Sequence, residues 1–364
     1  VIRWGYLLKK VITFVPTYLY EERARRVRAV FPLAASSFRT RDHAMHGSDT
    51  VEWWYFTGVL TTPARRRSVG FEVTFFRVDW GLESRILHTA FTDIERGTFT
   101  TRGAAWGFYP TFTRPDLRQI VSVMGSMLAF DEKRGEMTLR TRAGSLTIDL
   151  QMKAGDIMPQ GDSGIIGMSG SPQASCYYSL PDMATVGTIT VDGEQLPVTG
   201  VTWHDHQWGS FPLRDLAWDW FSLRLDCGLA IMVFVFRSGG TRTYAVSAHG
   251  PAGTRVLTSA SVSSRRVFRT KDGIPYPLEW DVTLGTPDGA SLAFHVMPTF
   301  DAQYVASFTV PSYWEGLCTV EGTVLTGGEL VGVCLEQGKP LNGTAYVELT
   351  GYERLRSTTP GDQA

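Results

Sequence analysis

The sequence predicts an all-β protein: two antiparallel β-barrel or sandwich domains behind a short helical segment. Three observations carry this reading. Apolar residues alternate with polar ones at period two, as in Phe71, Val73 and Phe75 against Glu72 and Thr74, and again at Leu146, Ile148, Leu150 and at Leu292, Phe294, Val296. Turn dipeptides recur between the runs, at Asp192-Gly193, Asp272-Gly273, Asp288-Gly289 and Asn342-Gly343. The chain also echoes itself. A hairpin opening on Glu52-Trp53-Trp54-Tyr55-Phe56 returns to end Phe75-Phe76-Arg77, and one opening on Trp218-Asp219-Trp220-Phe221 returns to end Val235-Phe236-Arg237. A length of 364 residues suits two such domains better than one.

Taken in order, residues 1–44 form an N-terminal helical or extended segment, with Glu21–Val30 as its helical part. The stretch Ile2–Tyr20 is greasy but broken by Lys9, Lys10 and Pro16, and has no small-residue cleavage site, so it reads as neither a signal peptide nor a membrane span. Trp4, Leu7, Leu8, Ile12 and Phe14 beside two lysines suit peripheral contact with a membrane surface, or packing onto the body. The expected location is cytoplasmic or membrane-peripheral. Residues 45–195 form the first β domain and 196–364 the second. Arg65-Arg66-Arg67 reads as a solvated hairpin tip. The longest apolar run, Leu229–Phe236, is far too short to cross a bilayer.

Composition narrows the function. Lys plus Arg total 35 against 36 Asp plus Glu, so no electrostatic footprint for nucleic acid exists. With 43% hydrophobic and 20% charged residues the chain is no disordered polyelectrolyte. The supply of 11 Trp, 13 Tyr and 20 Phe is enough to line an apolar pocket. Cys176, Cys227, Cys318 and Cys334 lie far apart without a C-x-x-C pair and read as buried or half-buried thiols.

The densest chemistry lies in Gly200-Val201-Thr202-Trp203-His204-Asp205-His206-Gln207-Trp208-Gly209. On an extended strand His204, His206 and Trp208 share one face, and Trp203, Asp205 and Gln207 the other. A metal would need a third ligand beyond His204 and His206. An acid–base reading has Asp205 tuned by a neighbouring imidazole and desolvated by tryptophan. The structural alternative is a polar knot between strand ends. Glu52 beside Trp53 and Trp54 is either a pocket acid or a buried anchor. His88 lies alone on a strand. Tyr177-Tyr178-Ser179 and Tyr313-Trp314-Glu315-Gly316 complete a set that suits a large, flat or polyene-like ligand. Gly161-Asp162-Ser163-Gly164 imitates a serine-protease motif but lacks the matching histidine context, so Ser163 is not expected to be a nucleophile. The stretch Gly161–Pro172 reads instead as a mobile Gly/Ser loop. No phosphate-cradling glycine motif is present.

These motifs together resemble the superfamily of AttH-like proteins and carotenoid 1,2-hydratases (hydroxyneurosporene synthases). The matching segments are Asp49–Gly58, Gly70–Arg77, Tyr177–Ser179, Val198–Gly209, Tyr313–Gly316 and Ala345–Tyr352. The resemblance implies two lipocalin-like β-barrel domains with a ligand cavity at or between them. It implies chemistry of three kinds: addition of water to a terminal isoprenoid double bond, Diels–Alder cyclisation as in similar fungal proteins, or the predicted hydrolase role of other members. Asp205 matches the acid of the hydratases, whereas Cys176 and Tyr178 stand near the positions of a His and a Trp implicated there. The resulting expectation is a cofactor-independent, metal-free hydratase or cyclase acting on an apolar isoprenoid or polyketide-polyene. Asp205 would be the acid, tuned by His204 or His206, and Glu52, Trp54, His88, Tyr178, Trp203, Trp208, Trp220 and Trp314 would bind substrate. A lipophilic-ligand carrier and a hydrolase are the rival readings.

Overall fold

The computed structural model describes residues 38–63, 67–79, 81–109, 116–168, 174–211, 217–238, 240–306 and 312–354, with backbone alone for 104–109. The helical segment expected at Glu21–Val30 and the membrane-contact segment lie outside these residues. Antiparallel strands account for nearly all the regular structure and curl as half-barrels. Helical structure among the described residues is confined to short turns such as Thr40–His43 and Leu117–Gln119.

The first sheet holds β1 (Val51–Thr62), β2 (Arg67–Asp79), β3 (Glu83–Asp93), β4 (Thr98–Tyr109), β5 (Val121–Val123), β6 (Ser126–Asp131), β7 (Glu136–Ala143), β8 (Leu146–Lys153), β9 (Met158–Pro159), β10 (Ile165–Gly167), β11 (Ala174–Val191) and β12 (Glu194–Gly209). Its order is β4-β3-β2-β1-β12-β11-β8-β7-β6-β5, with β9 and β10 against β11. The second sheet holds β13 (Trp218–Leu225), β14 (Ala230–Ser238), β15 (Thr241–Gly250), β16 (Gly253–Val256), β17 (Ser259–Arg269), β18 (Pro275–Gly285), β19 (Ser291–Pro298), β20 (Tyr304–Val305) and β21 (Tyr313–Thr326). A small ribbon, β22 (Gly328–Leu330) and β23 (Val333–Leu335), precedes β24 (Pro340–Leu349), which rejoins the second sheet. That sheet is ordered β16-β15-β14-β13-β24-β21-β19-β18-β17, with β20 against β21. In both sheets a four-strand meander lies beside the last strand of its half. The echoed hairpins, β1–β2 and β13–β14, occupy equivalent places.

The change of sheet falls between Gly209 and Trp218, later than the boundary expected near 195. Asp192-Gly193 is an ordinary hairpin turn between β11 and β12, which pair from Ser175 to Val191 apart from a bulge between Leu180 and Met183. A turn signal marks a reversal, and a reversal within a sheet carries the same signal as one between domains.

Outer strands alternate buried and exposed positions, as β7 and β18 do. The central strands do not: β3 is buried throughout, and β12 is buried from Thr202 to Gly209. Each sheet wraps a core of its own on one side, and the far sides of the central strands pack against each other to make a third apolar layer. A strand covered on both faces has no reason to alternate, which is why Trp53–Phe56 reads as unbroken aromatic sequence.

Two details depart from expectation. Arg67 is buried and paired with Asp93 rather than solvated at a hairpin tip; Arg65 and Arg66 lie outside the described residues. Cys334 is exposed, while Cys176 and Cys318 are buried and Cys227 is half-buried.

Candidate active site between the two sheets

Strand β12 lies between β1 and β11, and the register sets the site. Asp205 pairs with Tyr55 on one side and Ser179 on the other; Gln207 pairs with Trp53 and Tyr177. These residues face the second sheet. His206, one step along, pairs with Trp54 and Tyr178 and faces the core of the first sheet. Period-two alternation thus separates Asp205 from both neighbouring histidines.

Asp205 is buried and receives three hydrogen bonds. Tyr177 donates to Oδ2 at 2.6 Å, while Ser179 and the Trp203 indole donate to Oδ1 at 2.5 and 2.7 Å. The donors are themselves held, since Trp220 donates to the Tyr177 hydroxyl at 3.0 Å and Gln160 to the Ser179 hydroxyl at 2.8 Å. Burial pushes the Asp205 carboxyl up and the three donors pull it down, leaving it at about 7. It is therefore poised to hold or release a proton near neutrality.

A cavity of about 130 Å³ opens beside it. Its inner walls are Tyr55, Thr74, Tyr177, Asp205, Gln207, Trp220, Phe234 and Tyr313, all buried. The half-buried Trp53, Phe76, Val78, Trp218, Glu348, Thr350 and Gly351 and the exposed Arg354 mark its solvent side. Trp53 and Trp218 lie nearly parallel with centroids 6.5 Å apart. Hydrogen bonds cross between the sheets around the cavity: Tyr55 donates to Glu315 at 2.6 Å, and His88 Nδ1 lies 2.8 Å from the Tyr313 hydroxyl.

The cavity layer is unusually rich in acids. Burial raises Glu72 to about 8, and raises Glu315 with help from Glu348 and Glu72. Glu348, raised by burial and by Glu72, also sits at about 8. One oxygen of Glu72 and one of Glu315 have no hydrogen-bond partner, which a neutral carboxyl tolerates better than a charged one.

The opposite face of β12 is a separate network. Glu52 Oε1 lies 2.8 Å from both His206 Nε2 and His46 Nδ1, and the His46 backbone N–H also donates to Glu52. His46 stacks on Trp208 at 3.9 Å, and Trp54 stacks on His206. Burial opposes the charges, but hydrogen bonds overcome it: His206 and His46 hold Glu52 near 2, and Asp42 and Glu52 hold His46 near 9. His46, Glu52 and His206 place their ligand atoms within 4.8 Å of one another. His46 makes the charged pair with Glu52, while burial lowers His206, which meets the same carboxylate oxygen through Nε2 as a neutral partner. His204 stands apart, its Nδ1 3.0 Å from the Tyr55 carbonyl and its ring stacked on Phe56.

Of the expected residues, Asp205 and Trp220 line the cavity, Trp203 holds Asp205 from behind, and His88 braces a wall residue. His204, His206, Glu52, Trp54, Tyr178 and Trp208 lie in or against the core of the first sheet, and Trp314 in that of the second. Tuning of Asp205 by either histidine is thereby corrected: a strand presents adjacent residues to opposite faces. The missed residues are mostly one step away, with Trp53 lining the cavity in place of Trp54, Tyr177 in place of Tyr178 and Tyr313 in place of Trp314. Parity with Asp205 along β12 was the available signal, but it needs the β1 and β11 registers to be carried across strands. Ser163 is exposed in a tight turn at φ 55°, away from the cavity lining. The expected mobile loop is partly the strand β10; residues 169–173 lie outside the described set.

Comparison with known proteins agrees with this architecture. A family model described as AttH-like matches residues 33–352. An AttH protein from Nitrosomonas europaea is 29% identical, with 89% of this chain and 99% of that chain covered and a TM-score of 0.74. Kievitone hydratase from Nectria haematococca is 18% identical over 90% of this chain and 95% of its own, with a TM-score of 0.69. CghA with Sch210972 is 13% identical over 88% and 93%, with a TM-score of 0.55. The last two share the fold. No curated protein matches the chain.

Proposed function

Starting from the fact that the chain belongs to the AttH-like family, we propose that it is a cofactor-independent hydratase or cyclase working by proton transfer at Asp205 in the inter-sheet cavity. The observation that carries this is a buried carboxyl, at about 7, exposed to an aromatic cavity and held by three fixed donors. Such a group exchanges a proton with a bound substrate or its attacking water without first losing a hydration shell. The aromatic walls, Trp220 and Tyr55 above all, present ring faces or edges to developing positive charge on carbon and exclude bulk water.

Cavity size limits what enters. About 130 Å³ is close to the roughly 150 Å³ that takes one benzene-sized group. The reacting end of an isoprenoid or polyene fits, and the remainder of a long substrate leaves past Trp53 and Trp218. Kievitone hydratase shares the fold and supports testing hydration first.

The test is incubation of purified protein with prenylated phenols and terminal isoprenoids, followed by mass spectrometry for the gain of one water or for an isomer of unchanged mass. Asp205→Asn keeps the shape and is expected to cut turnover about a hundredfold while leaving affinity nearly unchanged. Wild-type turnover in that variant would remove Asp205 from the mechanism. Binding without any conversion would favour the carrier.

A further inference from the structure

The cavity has two carboxyls, not one. Asp205 reaches it from β12 of the first sheet and Glu348 from β24 of the second. We propose that Glu348 is the second catalytic carboxyl of the site, donating the proton to substrate while Asp205 acts as the base. This rests on the proposed hydratase or cyclase reading and assigns the direction in which protons move.

Hydrogen bonding decides which member is charged. The Trp203 indole can only donate. The Ser179 hydroxyl accepts from Gln160 and the Tyr177 hydroxyl from Trp220, so each turns its own hydrogen to Asp205. Three hydrogens converging on one carboxyl complement its ionised form. Glu348 has only the Trp218 side chain as a donor drawing it down. Its charged neighbours are acidic: Glu315 directly across on β21, then Glu72 and Asp205. Arg354 is the cation of the lining, at its exposed edge. Like charges at close range cannot all ionise, so Glu348, which lacks the three converging donors that Asp205 has, keeps its proton.

In hydration, the Glu348 O–H bond breaks as a C–H bond forms at the alkene, leaving a carbocation and a carboxylate. Water closes a C–O bond to the cation and gives its proton to the Asp205 carboxylate. Alkene plus water becomes alcohol. Asp205 then loses its proton and half-buried Glu348 regains one through water at the cavity mouth. In cyclisation the same pair adds a proton at one carbon and removes one from another.

Infrared titration of the carboxyl stretch tests the pair without a substrate, using wild type, Glu348→Gln and Asp205→Asn; turnover of a prenylated phenol is measured in parallel. The expected result is a protonated-acid band at pH 7 that Glu348→Gln removes, with its titration moved to lower pH by Asp205→Asn. Turnover in Glu348→Gln should fall about a hundredfold in kcat, with KM changed little. An ionised Glu348 at pH 7, or undiminished turnover in Glu348→Gln, overturns the proposal. The expected titration in a wild-type protein that converts none of the alkenes overturns the hydratase reading and the catalytic assignment with it.

Discussion

Glu52 and Asp205 are both carboxyls buried among tryptophans, yet their surroundings drive them in opposite directions. Glu52 meets two imidazoles and is held near 2; Asp205 meets neutral donors and rises to about 7. Removing the charge of Glu52 leaves His206 without its anchor and His46 with Asp42 alone. Glu52→Gln should cost about 3–5 kcal/mol of stability while leaving the cavity lining in place. The sign follows from linkage. Glu52 is lowered, so its stabilisation is present above its ordinary 4.5 and fades as pH falls towards 2. His46 is raised, so its share is present below 6.5 and fades as pH climbs through 9. The gap in thermal midpoint between wild type and variant should therefore be widest between pH 4.5 and 6.5. A gap constant from pH 3 to 9 would rule out the ion pair.

Strand pairing turns these residue-level choices into a site, and the close approach of the sheets is the part most sensitive to a single atom. Gly70 on β2 faces the second sheet. A Cβ there would sit 2.3 Å from the Tyr346 hydroxyl and 3.1 Å from Leu317 Cδ2, both on buried side chains. Gly70→Ala must push the sheets apart locally and should lose about 1–3 kcal/mol in urea unfolding. Gly47→Ala, whose Cβ would meet nothing within 4 Å, serves as the control. Equal stability of the two variants would show that the sheets do not pack as described. Much of this level was legible in the sequence: the all-β class, the paired hairpins and the importance of the His204-Asp205-His206 segment all follow from local pattern. The choice of Trp53 over Trp54, or Tyr177 over Tyr178, was not. Aromatic residues fill both faces of these strands, so hydrophobic pattern carries no parity, and only pairing across β1, β12 and β11 reveals which face meets the cavity. Glu348 was missed for a related reason. It lies far along the chain and joins Asp205 only when the two sheets pack.

Across the whole molecule, the layer between the sheets holds the buried Glu72, Asp205 and Glu315 and the half-buried Glu348, and all four are raised. A raised carboxyl binds its proton more tightly folded than unfolded, so the folded state is favoured in full below the ordinary range near 4 and loses that advantage as pH rises through the folded value. With Glu72 and Glu348 at about 8, the loss extends from about pH 4 to about pH 8. Between 4.5 and 6.5 the Glu52–His46 pair is constant, while Asp49, raised to about 6 by burial, declines alongside the inter-sheet acids, so a single-site variant is needed to separate them. Glu72→Gln is the direct test, because Thr74 can still donate to the amide oxygen while the titration disappears. The variant should lose less stability than wild type between pH 5 and pH 9, by on the order of 4 kcal/mol, with most of the difference developing between pH 5 and pH 8 in chemical denaturation. Parallel curves for the two proteins would mean that Glu72 is ionised within the fold, and that the charge of this layer is balanced by a group other than its own protons.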